Sequence, residues 1–187
     1  MNIVQRAKEI LLTPKQTWPV IEAETTDTTT LYTQYLMILA LIPAVAAFIG
    51  MSLIGINVLG VSIRTPLVSG LVGMIVSYVL SLAMIYVLAL IADALAPTFG
   101  GQKNPMQALK LVAYSSTAGM VGGIFSLIPA LAVLGVLTSL YSIYLLFIGI
   151  PIMMKSPQEK ALPYTAVLLV CGLIAGVVLG VVSAALR

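Results

Sequence analysis

Asp93 is the one acidic residue that falls inside a long apolar run of the chain. A carboxylate at bilayer depth is the usual mark of a proton or cation site. Its run begins near Pro66, which puts Asp93 roughly 40 Å along a straight helix, past a hydrocarbon core of about 30 Å. That depth favours a loop-ordering role over a proton site, with Lys103 or Lys110 as the partner. The other acids, Glu9, Glu22, Glu24, Asp27 and Glu159, lie outside the apolar runs. The chain has no His, which excludes Ser-His-Asp and Cys-His nucleophilic chemistry and removes the commonest transition-metal ligand. Cys171 is the only cysteine, so there is no intrachain disulfide. After Asp93, Pro97 ends a helix and Gly100 with Gly101 allows a tight turn before Lys103. This stretch lacks the Lys-Ser/Thr pair of a phosphate loop. No catalytic residue, metal site or cofactor is expected, and the chain reads as a non-enzyme.

The elements that must position these residues are apolar helices. Hydrophobic residues make up 60% of the chain and charged residues 8%, against about 25% charged in a soluble domain. Five apolar segments, at about 31–55, 66–95, 105–127, 129–154 and 157–186, are each long enough to span a bilayer. The expected fold is an all-α polytopic bundle of five transmembrane helices (31–187) behind a short amphipathic leader (1–30). No signal-peptide pattern is visible. The third–fourth boundary is the weakest, with a tight turn at Pro129 or a re-entrant pair as its two readings.

In the leader, Ile3, Val4, Ala7, Ile10 and Leu11 recur at helical spacing. Such a helix lies on the membrane surface or packs on the protein's own spans. Thr13 with Pro14 has the form of a second helix start, and Trp18 stands where an interfacial anchor is expected. Arg6, Lys8 and Lys15 are candidate membrane-surface contacts, each worth about 1 kcal/mol beside anionic lipid. Asp27 or Thr28, Asn104 and Ser156 are candidate caps, and Ser156 with Glu159 has capping-box spacing. Lys103-Asn104-Pro105 and Lys155-Ser156-Pro157 echo one another as helix starts.

Five spans place Arg6, Lys8, Lys15, Lys103, Lys110, Lys155 and Lys160 on one side, and Arg64 and Arg187 on the other. Basic loops stay in the cytoplasm, so the N-terminus is expected inside and the C-terminus outside. Asp93, Pro97, Gly100, Gly101, Lys103 and Lys110 then form a candidate cytoplasmic functional loop. Small residues repeat every four positions at Gly172, Gly176 and Gly180, at Gly73, Ser77 and Ser81, and at Ser115, Gly119 and Gly123. Such stripes bring helix backbones close, within one chain or between copies. Tyr78, Tyr86, Tyr141 and Tyr144 lie deep in spans, where their hydroxyls need partners.

The stretches 12–22, 92–103, 108–115 and 151–157, in that order and with this layout, resemble the short bacterial branch of the Yip (Ypt/Rab-interacting protein) family over nearly the whole chain. The resemblance implies five spans, a cytoplasmic N-terminus and a bacterial inner membrane. Eukaryotic relatives associate with prenylated Rab GTPases, but this leader is far shorter than their cytoplasmic domain, so that partner is not carried over. The resemblance supplies no catalytic residues. The expected function is a scaffold that organises membrane or protein partners through its cytoplasmic face. The alternative is a small oligomeric transporter or channel for a neutral or lipidic solute. Expected partners are the lipid bilayer, a membrane or cytoplasmic protein, and a second copy of the chain, with no nucleic acid.

Overall fold

Asn2 starts the first helix, its side-chain oxygen accepting from the amides of Val4 at 3.1 Å and Gln5 at 3.2 Å. The computed structural model describes residues 2–58 and 61–185, so Arg187 and the expected last boundary of span five, Leu186, lie outside it. Helix α1 (Ile3–Leu12) and α2 (Pro14–Ala23) form a helical hairpin. Pro14 opens α2 as expected, but Thr13 does not cap it. The Thr13 hydroxyl donates instead to the Glu9 carbonyl at 3.1 Å, which also accepts from the Thr17 hydroxyl at 3.0 Å. That shared acceptor ties the start of α2 back to the end of α1.

Five helical segments follow that are long and apolar enough to cross a membrane: Thr28–Ile54, Leu67–Phe99, Pro105–Leu127, Val133–Met153 and Gln158–Val178. The first starts at α3 (Thr28–Leu31), capped by Asp27, whose carboxylate accepts from the Thr30 amide at 3.1 Å. Hydrogen bonds from Thr30 hold the Asp27 carboxyl below its ordinary range. Two π-helical turns, Tyr32–Leu36 and Ile49–Ile54, flank α4 (Met37–Phe48) with Pro43 inside it. A two-stranded antiparallel ribbon follows, β1 (Ile56–Val58) with β2 (Val61–Ile63). Helix α5 (Leu67–Leu95) then runs into a 3-10 turn, Ala96–Phe99.

The third segment is broken into α6 (Pro105–Ser115), α7 (Thr117–Gly122) and a 3-10 turn at Gly123–Leu127. Asn104 caps it as expected, accepting from the Gln107 amide at 3.1 Å. Ala108 through Ser115 are all buried, so this segment is the axis of the bundle. Its glycines permit the approach. A Cβ on Gly123 would stand 2.4 Å from the Pro43 Cβ, and one on Gly122 1.9 Å from the Thr138 hydroxyl. A further 3-10 turn, Pro129–Leu131, leads into α8 (Ala132–Met153). After a 3-10 turn at Gln158–Lys160 comes α9 (Ala161–Ala185).

One buried cluster joins Ile10, Trp18 and Ile21 of the leader to Leu111, Leu145, Ile150 and Tyr164 of the spans. Leu71 and Ile75 of α5 and Ile174 and Val177 of α9 point outward, as lipid-facing residues do. Five crossings put the leader at one end of the bundle and the ribbon at the other.

Candidate functional site

The leader end carries most of the directional bonding between distant parts of the chain among the described residues. Trp18 is the wedge of the hairpin. It has no exposed surface, which overturns the expectation of an interfacial anchor. Its ring packs over Gly149, where a Cβ would lie 2.7 Å from both the indole and a Leu111 methyl. Glycine is required there by space alone. The Tyr141 hydroxyl donates to the Leu11 carbonyl at 2.7 Å. Tyr141 sits roughly 18 Å before the Met153 end of α8, at 1.5 Å per residue, so the tip of the hairpin reaches about halfway down that helix.

Lys110 does not belong to a loop. It lies within α6, 2% exposed, and its ammonium donates to the Ile21 carbonyl at 3.0 Å and to the Glu24 carbonyl. These are the last-turn and capping carbonyls of α2, where a cation satisfies open acceptors and the helix dipole together. Gln107, one turn earlier, donates to the Glu22 carbonyl at 2.9 Å. Lys110 therefore positions the leader instead of pairing with Asp93.

Arg6 is also drawn inward. At 9% exposure it pairs with Glu24 and, at 3.4 Å, with Glu9, so it is not a free membrane-surface contact. Lys8 and Lys15 are exposed beside Leu12, which is 77% exposed. Lys155 pairs with Glu22 at 2.8 Å. It holds that position with φ of 54°, a left-handed backbone that disfavours a side chain.

The loops after α5 and α8 lock together under this face. Pro97 lies in the turn that ends α5, and Gly100 takes φ of 71°. A Cβ on Gly101 would stand 2.6 Å from the Met154 carbonyl, to which the adjacent Gln102 amide donates at 2.8 Å. Ser156 makes no capping box; its hydroxyl donates to the Phe99 carbonyl at 3.0 Å. The echo between the two helix starts is thus not structural, since Asn104 caps its helix and Ser156 ties two loops. Lys103 is exposed. Asp93 pairs with neither Lys103 nor Lys110, and one of its carboxylate oxygens is buried without a hydrogen-bond partner.

The glycine stripe of α9 is split. A Cβ on Gly172 would lie 3.1 Å from Leu88 and one on Gly176 3.6 Å from Met84, both on α5, whereas Gly180 has nothing within 4 Å. The structure brings together Arg6, Trp18 and Lys110 of the expected site residues and adds Gln107, Tyr141, Gly149, Glu22 and Lys155. Of the missed residues, Gly149 carries the clearest sequence signal, a residue without a side chain among large apolar ones.

The inner membrane protein YohC of Escherichia coli strain K12 is 26% identical over 165 residues, which cover 86% of this chain and 85% of the relative. YohC of Escherichia coli strain CFT073 matches to the same extent. No solved structure matches the chain. The Yip1 domain model matches residues 8–179, nearly all of the leader hairpin and spans just described, and the chain belongs to the Yip1 domain family.

Proposed function

We infer that this chain is a non-enzymatic protein of a bacterial inner membrane that organises the bilayer and its partners from the leader end. The carrying observation is the unequal dress of α8. Its leader half, with Leu145, Ile150 and Met153, is buried, while Val133, Val136, Leu137 and Leu140 of the other half are exposed. The hairpin thickens one half of the bundle only. A body wider in one leaflet displaces lipid unequally and favours curvature, as inserted amphipathic helices do. The preponderance of basic residues supports a cytoplasmic leader. Exposed Lys8, Lys15, Leu12 and Val20 offer a mixed surface to headgroups or to a protein.

Reconstitution into large vesicles of phosphatidylethanolamine and phosphatidylglycerol tests the reading. Rising protein content should shrink or tubulate vesicles with the full chain, and do so much less when residues 2–24 are deleted. Equal vesicle sizes for the two proteins would sink it. A small oligomeric transporter for a neutral or lipidic solute is the second reading, favoured by uncharged cavities within the spans. Reconstituted protein giving no flux over a panel of neutral solutes would remove it.

A further inference from the structure

Two cavities, of about 260 Å³ and about 310 Å³, share Met84, Ser116 and Ser142 and so form one groove. Every residue that lines them lies within a candidate span, and none is charged. The walls are apolar, with Leu88, Leu146 and Leu169 among them. The polar groups are five serines gathered from three segments: Ser81, Ser115, Ser116, Ser139 and Ser142.

At bilayer depth a serine hydroxyl usually donates to a carbonyl of its own helix three or four residues back. Ser81 does so to Tyr78 at 2.7 Å, Ser116 to Val112 at 2.8 Å and Ser139 to Gly135 at 2.9 Å. Each keeps oxygen lone pairs for another donor. The other two break the pattern. Ser142 accepts from the Gly119 amide at 2.9 Å, and its own hydrogen has no acceptor among the described residues. Ser115, only 4% exposed, likewise has no hydrogen-bond partner among them. Unmet hydroxyls in hydrocarbon are costly, and bulk water does not reach this depth to meet them.

We propose that this groove binds a neutral, single-headed lipid alcohol. Its chain lies along Leu88, Leu146 and Leu169, and its hydroxyl sits at Ser142, on the wall that also holds Ser115 and Ser116. One hydroxyl both accepts and donates, so it answers the free Ser142 donor and can bond to the spare lone pairs of Ser116. A charged headgroup is excluded because no lining residue would pair with it. The inference does not rest on the curvature reading.

The test uses the full chain in phosphatidylcholine nanodiscs and a long-chain alcohol carrying a chain diazirine. After illumination, adducts should concentrate on peptides holding Leu88, Leu146 or Leu169, above those on Val133–Leu140. Excess hexadecanol should compete, and heptadecane, which can neither accept nor donate, should compete about tenfold less well. The variant Ser142→Ala should lose groove adducts about fivefold, on the scale of one neutral hydrogen bond, with Trp18 emission unchanged. Adducts spread evenly over all lipid-facing helices would overturn the proposal. So would an alkane that competes as well as the alcohol, a comparison made on the unaltered chain and so independent of how the variant folds.

Discussion

The two ends of the bundle are built on different principles. At the leader end, Trp18, Lys110, Arg6, Lys155 and Tyr141 each meet a named partner far away in sequence. At the ribbon end, shape dominates. Gly50 lies against the Ser126 carbonyl, where a Cβ would approach to 2.0 Å. Lipid explains much of the contrast. An apolar helix surrounded by acyl chains needs only close packing to find its neighbours. A leader with charges and open helix ends docks through directional partners for its last carbonyls and its carboxylates.

The largest effect that sharpens this contrast is expected at Trp18. Trp18→Ala should cost about 3–5 kcal/mol, the usual range for emptying a large aromatic site. Unfolding in detergent followed by circular dichroism measures it. Val177→Ala, on the lipid-facing side of α9, should stay within about 0.5 kcal/mol. Equal losses at the two positions would erase the distinction. Next comes Lys110→Met, which removes the cation from the carbonyls of Ile21 and Glu24 and should cost about 2 kcal/mol, read as faster proteolysis of residues 2–24. Gly149→Ala should cost about 1–3 kcal/mol by overpacking. It should shift the emission of Trp18, the chain's only tryptophan, toward that of a wetter ring.

The smallest effect belongs to Asp27. Its carboxyl is held below the ordinary range by Thr30, so its contribution is complete above the usual carboxylate pKa. It is lost as pH falls through the lowered folded value. Asp27→Asn keeps a capping oxygen and should flatten that acid-side slope in a pH series of melting curves; an unchanged slope would assign it to other groups.

The spans were legible because apolar runs of this length have few other uses, and the caps at Asp27 and Asn104 because their bonds are local. What failed was long-range. Trp18 fits a headgroup zone or a core equally well until Gly149 is known to lie against it. Lys110 counted as a loop charge, although its place among Leu109, Leu111 and Val112 was a sign that it points into protein. Ser156 has a capping sequence, yet the Phe99 carbonyl is a competitor that only the tertiary fold supplies. The π turns of the first span leave no composition signature, and of the two only Ile49–Ile54 meets a close neighbour, the Ser126 carbonyl at Gly50.

The Tyr141 and Lys155 contacts also impose an order in time. The leader leaves the ribosome first, but the surface that receives it is not complete until Lys155 has been made. At about 5–20 residues per second, the nascent leader waits on the order of ten seconds with Trp18 unmatched, while Arg6 already has Glu9 and Glu24. Whatever escorts the young chain during that interval must shield one indole, then let go.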